Sequence, residues 1–276
     1  MSETTKRVVL VRPEEVNTAP GREFFIRKTE KFFDACPECK GTCVVQATEG
    51  LLGKIGARRS CPLCSQYANH MKNFCNKFFA TVPLRYQGCI WSELQPSTKS
   101  VLPLDTQKEH MDYFRRYSDQ SAAFFGSPGT SKTTWMTAMY AQQCWWETGQ
   151  DIWRTGGLVY RMTTKALLDQ FTQYALRGND PENPADPPRL SRERIEKIAR
   201  LDRRVSLFLE ELDKIKQTDS RMANLFEVVD ALYESKGQLV VSSNLTLPQF
   251  QDQFGEVFAR RISEMCKIVN LWEEKQ

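Results

Sequence analysis

The sequence predicts an α/β fold in which helices cover both faces of a parallel sheet. From residue 122 onward, apolar segments as short as strands alternate with longer segments of helical periodicity. The strand candidates are mostly apolar, as expected where helices bury both faces of a sheet. The first 80 residues differ, because they contain closely spaced cysteine pairs. We therefore expect a small N-terminal module over residues 1–80 and an α/β domain over residues 81–276.

Turn residues and caps indicate where the elements begin and end. Thr163 or Thr164 can cap the helix after the second strand of the sheet. Residues 178–188, GNDPENPADPP, exclude regular structure and predict an exposed loop. A short strand is also predicted at 7–11. The expected strands of the sheet are 122–125, 157–162, 204–209, 237–242 and 267–271, and the expected helices are 106–118, one starting at 132, 165–176, 191–201, 221–235 and 247–265.

Composition and charge exclude some classes of protein. Lysine and arginine number 38 against 34 acidic residues, so the net charge of +4 is compatible with nucleic acid without indicating it. No apolar run reaches the length of a membrane span, and the N-terminus MSETTKRVVLV lacks an apolar signal core. We expect no membrane contact and a cytoplasmic protein of a bacterial or phage-infected cell. Thiols stay reduced there, so the nine cysteines indicate a metal site.

Two C-x₂-C pairs predict a zinc site in the N-terminal module. Cys36 and Cys39 form the first pair, and Cys61 and Cys64 the second, about twenty residues later. Each pair can direct two sulfurs at one ion, and the intervening segment lets the chain return, which suits tetrahedral Zn²⁺. The ion would fold a segment too small to bury a core of its own. A redox C-x-x-C is the alternative, and two pairs favour the metal.

Other residues of this module have less certain roles. Three further potential ligands have less suitable spacing: Cys43, His70 and Cys75. Several basic side chains form either a solvated face or a contact with DNA or protein, and their pattern does not distinguish the two alternatives. These side chains are Lys54, Arg58, Arg59, Lys72 and Lys77.

A phosphate-binding loop is predicted after the first strand of the α/β domain. The segment GSPGTSKTT follows the strand and opens a helix, close to the pattern G-x-x-x-x-G-K-[ST]. Backbone N–H groups of such a loop converge on an anion at the positive end of the helix. Lys132 is expected to reach the β- and γ-phosphates of a nucleotide, and the Thr133 hydroxyl to hold Mg²⁺. The expected binding residues are Gly126, Ser127, Pro128, Gly129, Thr130, Ser131, Lys132, Thr133 and Thr134.

Acidic and amide side chains at two later strand ends predict the remaining parts of a hydrolytic site. Glu210 and Glu211 follow the apolar run VSLFL. In the Walker B arrangement the first acid holds Mg²⁺ through water, and the second polarises the attacking water. Asn244 ends the next strand, where it can orient that water as sensor 1. In GEVFARRI, Arg260 or Arg261 can stabilise charge on the γ-phosphate bound to a neighbouring subunit.

These motifs, in this order, resemble the AAA+ ATPases of the DnaC/IstB helicase-loader family. The resemblance covers about two thirds of the chain, from Val82 to the C-terminus. FFGSPGTSKTTW resembles the family's P-loop, LFLEELD its Walker B strand, VVSSNLTLPQF its sensor 1 strand, and FGEVFARRI its arginine-finger box. The last match places Arg261 at the finger position, with Arg260 as the alternate. Ser131 in place of glycine and Glu210 in place of aspartate depart from the family pattern.

The resemblance implies a P-loop NTPase sheet of AAA+ type without a C-terminal lid domain. It implies an ATPase that binds ATP and Mg²⁺, assembles with itself on ATP, and loads a replicative DNA helicase on single-stranded DNA. By analogy, the zinc module would contact the helicase. Two alternatives stay open. One is an IstB-like transposition ATPase with a different partner, and the other is a zinc-dependent DNA-binding adaptor whose ATPase is degenerate.

Overall fold

The structure, a computed structural model, divides the chain into two compact units, Met1–Gly88 and Cys89–Gln276. The expected strand at 7–11 and loop at 178–188 lie outside the residues that it describes. The assignment of separate roles to the two units stays a prediction. The described residues are 36–46, 58–87, 89, 94, 96, 102–149, 158–177, 190–215 and 218–272.

The first unit contains a two-stranded antiparallel hairpin and a long helix. Strands β1 (Val44–Gln46) and β2 (Arg58–Ser60) pair directly, and helix α1 (Pro62–Thr81) follows. Proline at the first helical position lacks the N–H that would otherwise need an acceptor, so it suits this start. No helix was predicted over the residues of α1. Its signal is an apolar stripe at helical spacing, and the residues that the stripe buries are Cys64, Ala68, Met71, Phe74 and Phe78.

The second unit contains the five-stranded parallel sheet, which confirms the predicted α/β class. In space the strands follow the order β4-β5-β6-β3-β7. The P-loop strand β3 therefore lies between β6 and β7, and β6 separates it from β5. The strands are β3 (Ala122–Phe125), β4 (Leu158–Thr163), β5 (Val205–Glu210), β6 (Gln238–Ser243) and β7 (Lys267–Asn270).

Seven helices of the described part of this unit flank the sheet, within a few residues of the predicted bounds. The expected helix at 247–265 is two helices, because Gly255 adopts a φ of +81° and breaks it. The helices are α2 (Leu104–Arg116), α3 (Lys132–Gly149), α4 (Thr164–Arg177), α5 (Arg192–Ala199), α6 (Asp219–Glu234), α7 (Leu247–Phe254) and α8 (Glu256–Met265).

Alternating strand residues separate two packing layers. Phe124 of β3 contacts Phe114 of α2 and Trp135 of α3, and Phe208 of β5 contacts Tyr140 of α3. The other face of the same strands packs into the larger core with α4 to α8, as Phe125 does against α7. Helices on both sides explain why these strands are almost wholly buried. None of the helices in the described part of the chain has both the length and the hydrophobicity of a membrane span.

Candidate nucleotide site and cysteine cluster

Two glycines and one side-chain hydrogen bond shape the loop between β3 and α3. At Gly126 a side chain cannot fit, because an added Cβ would lie 2.7 Å from Leu271 Cβ and 2.7 Å from Thr130 Oγ1. Thr130 Oγ1 donates a hydrogen bond to the Ser127 carbonyl at 2.8 Å, which closes the loop on itself. Gly129 adopts a φ of +90°, a value that favours glycine.

The first turn of α3 presents unpaired backbone donors next to this loop. The first hydrogen bond of the helix type runs from Trp135 N to Ser131 O at 3.0 Å. The N–H groups of Lys132, Thr133 and Thr134 precede it and therefore have no acceptor within the helix. Together with the helix dipole they form a site for a negatively charged group.

Lys132 lies at the centre of the site. Its Nζ donates hydrogen bonds to the carbonyls of Gly126 at 2.6 Å and Ser127 at 2.8 Å, and the residue is buried. Burial lowers the pKa of Lys132 to about 8, and the negative charge of Asp213 opposes this shift. Among the described residues, no carboxylate lies within ion-pair range of this buried ammonium, which suits it to an anionic ligand. Because only the protonated lysine attracts phosphate, we expect affinity for a nucleotide to fall as pH rises through about 8.

The two acids predicted for the Walker B position both form ion pairs within the chain. Glu210 Oε1 lies 2.7 Å from Arg161 Nε, and the Arg161 side chain is only 1% exposed. Thr164 Oγ1 donates to the Glu210 carbonyl at 2.9 Å, which fixes the end of β5. Glu211 follows with a φ of 59°, and its Oε1 lies 2.5 Å from Lys214 Nζ. Sequence reasoning missed Arg161, although a lone arginine in the strand LVYRMT indicates a buried partner.

Asn244, predicted as sensor 1, directly follows β6 and is hydrogen-bonded to Asp213, a residue that was not predicted for the site. The carboxylate of Asp213 accepts hydrogen bonds from the backbone N of Asn244 at 2.8 Å and from its Nδ2 at 2.9 Å. The preceding Ser243 accepts a hydrogen bond from Gly126 N at 3.2 Å, so the end of β6 adjoins the start of the phosphate loop. The third acid in LEELD is the sequence signal for Asp213.

The two finger candidates have different surroundings. Arg261 forms ion pairs with Asp230 at 2.8 Å and Glu264 at 3.3 Å, and its guanidinium lies 4.0 Å from the centre of the Tyr233 ring. The side chain of Arg260 is 70% exposed and forms a long ion pair of 3.8 Å with Glu264. Arg260 is therefore available to a neighbouring molecule, whereas Arg261 must first leave its own contacts.

Ser131 is strained, because it occupies the left-handed region with a φ of 69°. We predict that Ser131→Gly raises the free energy of unfolding. Glycine relieves about 1–2 kcal/mol of backbone strain in the folded state. It also costs roughly 0.4–1 kcal/mol of stability, because it gives the unfolded chain more conformational freedom. A net gain of about 1 kcal/mol is therefore expected in urea titrations. The variant should also bind ATP more tightly.

Lys236→Gly is the matched control, because Lys236 is exposed and has a φ of 55° far from the loop in sequence. It should gain similar stability with unchanged affinity for ATP. A gain for Lys236→Gly without one for Ser131→Gly would mean that the loop is not strained at this position.

The four predicted zinc ligands converge on one point. The β1–β2 pairing and a hydrogen bond from Cys61 N to the Cys43 carbonyl at 2.9 Å bring the two pairs together. All four sulfurs lie within 4.8 Å of one another, with Cys36 Sγ–Cys61 Sγ at 3.8 Å and Cys39 Sγ–Cys64 Sγ at 3.5 Å. Four thiolates at about 2.3 Å from a tetrahedral zinc ion lie about 3.8 Å apart, so the cluster fits that ion.

The second pair lies at the start of a helix, because Cys61 precedes α1 and Cys64 lies in its first turn. Burial raises the pKa of the Cys64 thiol, whereas at Cys39 hydrogen bonds from Cys64, Cys36 and the backbone N–H of Cys43 outweigh burial and lower the pKa to about 7. Within the described residues, these four form the group with metal-ligand geometry, and Cys43 lies beside it, with its backbone N 3.2 Å from Cys39 Sγ.

Comparison with known proteins yields structural likeness only. No protein-family model matches the chain, and no curated protein matches it. A DnaC helicase loader is 16% identical, with 68% of this chain and 98% of that chain covered at a TM-score of 0.49. DnaI is 11% identical, with 66% and 92% covered at a TM-score of 0.43.

Structures of DnaA are also similar to this chain. AMPPCP-bound DnaA from Aquifex aeolicus is 13% identical, with 64% of this chain and 51% of that chain covered at a TM-score of 0.46. The chain thus spans about half the length of DnaA. At these levels of identity the likeness concerns the fold, and the assignment of site residues depends on the geometry described above.

Proposed function

We propose that this protein is a P-loop ATPase of AAA+ type that acts in DNA replication as a helicase loader. One observation supports the nucleotide site above all: Lys132 is buried in a glycine-containing loop, beside three helix N–H groups that lack helical acceptors. An anion of matching size would compensate the charge of this buried cation and accept hydrogen bonds from the converging donors. The loop–helix order and the lysine both favour a nucleoside triphosphate.

Each residue of the site has a distinct task in this proposal. The loop N–H groups and Lys132 bind the β- and γ-phosphates of ATP. Thr133 and Glu210 would hold Mg²⁺, which neutralises charge on the phosphates when it is bound. Glu211 polarises the attacking water once it leaves Lys214, and Asn244 orients that water.

The site is completed by a second copy of the chain. An arginine from the neighbouring subunit, Arg261 or its alternate Arg260, stabilises charge on the γ-phosphate. ATP thereby joins two subunits, and hydrolysis releases them. The exposure of Arg260 and the internal ion pairs of Arg261 support testing each arginine separately.

The partners follow from the family resemblance rather than from the geometry. A cytoplasmic loader would engage a replicative helicase and single-stranded DNA, which basic and stacking side chains hold without reading sequence. The cysteine cluster binds zinc in this proposal and gives the N-terminal unit a rigid surface for the helicase.

Lys132→Ala tests the proposal. The wild type should hydrolyse ATP and form ATP-dependent oligomers in analytical ultracentrifugation, and Lys132→Ala should do neither. Arg260→Ala and Arg261→Ala should bind ATP normally, and the true finger variant should lose hydrolysis and assembly. A Lys132→Ala protein that assembles and hydrolyses ATP like the wild type would refute the assignment.

Copurification with a hexameric helicase supports the loader, and copurification with a transposase supports the IstB-like alternative.

The ion pairs of both Walker B acids favour a second candidate, a zinc-dependent DNA-binding adaptor with a degenerate ATPase. If Glu210 and Glu211 never leave Arg161 and Lys214, neither acid can serve hydrolysis. This candidate predicts that Glu211→Gln and the wild type have the same negligible turnover while both bind DNA. A wild-type turnover well above that of Glu211→Gln would exclude it.

A further inference from the structure

Asp213 holds the predicted sensor residue in a defined orientation. It lies in the short 3₁₀ turn Leu212–Lys214 that follows β5. Its Oδ1 accepts the backbone N–H of Asn244 at 2.8 Å, and its Oδ2 accepts the side-chain Nδ2 at 2.9 Å. Both carboxylate oxygens are therefore engaged by one residue, which fixes the backbone and the side chain of Asn244 together.

The chemistry of a carboxylate determines which end of the amide faces it. An ionised carboxylate only accepts hydrogen bonds, and only the nitrogen of an asparagine amide donates them. Asn244 must therefore direct Nδ2 to Asp213, which leaves Oδ1, the other end of the planar amide group, free of Asp213. The orientation of an asparagine amide follows from its hydrogen-bond partners, and here the partner allows only one choice.

Asn244 follows the strand end that adjoins the phosphate loop. β6 pairs with β3 so that Ser243 is opposite Phe125, and the Ser243 carbonyl accepts the N–H of Gly126 at 3.2 Å. Asn244 is the next residue after Ser243, and the Gly126 carbonyl accepts Lys132 Nζ at 2.6 Å. The charge of Asp213 acts on Lys132 as well, since it opposes the lowering of the Lys132 pKa.

The two neighbouring acids have different partners. Glu210 and Glu211 face the cations Arg161 and Lys214, which neutralise them. The hydrogen bonds of Asp213 go instead to a neutral amide at the edge of the site. A purely structural role for Asp213, in which its side chain closes the turn, would explain the hydrogen bond to the Asn244 backbone N. Such a role does not require the second hydrogen bond to Nδ2.

We propose that Asp213 is a positioning residue for ATP hydrolysis: it holds Asn244 so that the amide Oδ1 accepts a hydrogen bond from the water that attacks the γ-phosphate. The inference rests on the proposed ATPase function and adds a residue that acts through Asn244 without touching the nucleotide. The proton of the water stays on the water in this step, and Asn244 only orients it.

Asp213→Asn tests the orientation with almost no change in shape. The substituted side chain keeps an acceptor for the backbone N–H but places an NH₂ group where the second carboxylate oxygen lay. The Asn244 amide must then turn its oxygen inward and present Nδ2 to the site. We expect kcat to fall about 10- to 100-fold, as for other residues that orient a reacting group, while KM for ATP changes less than about 3-fold. Asp252→Asn, an exposed acid on α7, should leave both values unchanged.

A double-mutant cycle separates this role from a merely structural one. If Asp213 acts through Asn244, the double variant Asp213→Asn/Asn244→Ala should turn over ATP within about 3-fold of Asn244→Ala alone. Losses that multiply in the double variant, or wild-type kcat in Asp213→Asn, would overturn the inference. Should Asp213→Asn fail to fold in a thermal melt, Asp213→Ala carries the same predictions.

The outcomes also separate the inference from the function on which it rests. A wild-type protein that neither binds nor hydrolyses ATP would refute the proposed function. A wild type that hydrolyses ATP beside an Asp213→Asn variant with the same kcat would refute only the role of Asp213.

Discussion

We expect Cys64→Ser to unfold the cysteine-rich part of the N-terminal unit and to abolish the proposed zinc binding. Cys64 lies in the first turn of α1, so its sulfur ties the helix to the turn that holds Cys36 and Cys39. Structural zinc contributes about 10–16 kcal/mol of apparent binding free energy in small modules, which exceeds the stability of a typical domain. We expect about one zinc ion per wild-type chain by metal analysis and far less in the variant. Hydrogen exchange of α1 should lose its protection.

Cys75→Ser is the control for this experiment, because Cys75 lies in the same helix but outside the four-sulfur group. It should retain zinc and protection. Purified wild-type protein with well under one zinc per chain, and with free thiols at Cys36, Cys39, Cys61 and Cys64, would rule out the metal site.

Glu210→Ala lowers the free energy of unfolding of the second unit by about 3–5 kcal/mol. The change leaves the guanidinium of Arg161 buried without its carboxylate, and an uncompensated buried charge costs about that much. Nη1 and Nη2 of Arg161 already lack hydrogen-bond partners, so no second acceptor is in place to compensate. Urea titration followed by tryptophan fluorescence measures the loss.

Two further variants make this prediction specific. Arg161→Met/Glu210→Met should recover most of the lost stability, since an apolar pair of similar volume replaces the ion pair. Glu234→Ala removes the acid of an exposed ion pair with Arg192 and should cost about 0–1 kcal/mol. A loss for Glu210→Ala no larger than that for Glu234→Ala would show that Arg161 and Glu210 do not form a buried pair in solution.

Features set by short-range sequence spacing were predicted with success. The order of strands and helices and the convergence of the four cysteines follow from apolar periodicity and from C-x₂-C spacing, and the structure confirms them. Helix α1 also has a local signal, an apolar stripe at helical spacing, but it was not predicted. The cysteine pair at its start was interpreted as a turn instead. The break at Gly255 was missed because glycine is tolerated within a helix unless its φ is positive.

Partners from distant segments could not be predicted. Arg161 and Glu210 are 49 residues apart in sequence and meet because β4 and β5 are neighbouring strands. Asp213 and Asn244 meet for a similar reason, since the turn after β5 reaches the end of β6. Such contacts depend on strand order, which the alternating pattern of elements does not specify. The same limit applies to Arg261, whose match to a motif gave no sign of its ion pair with Asp230.

The central claim is that the loop around Lys132 binds ATP, and a calorimetric titration tests it most directly. The wild type should bind ATP with Mg²⁺ below pH 8, and more weakly as the pH rises through about 8, where Lys132 loses its proton. Lys132→Ala should bind about 10- to 100-fold more weakly, the value of a charge-assisted contact. Lys165→Ala, which removes an exposed lysine paired with Asp169, should bind like the wild type. Equal affinity of Lys132→Ala and wild type would contradict the account.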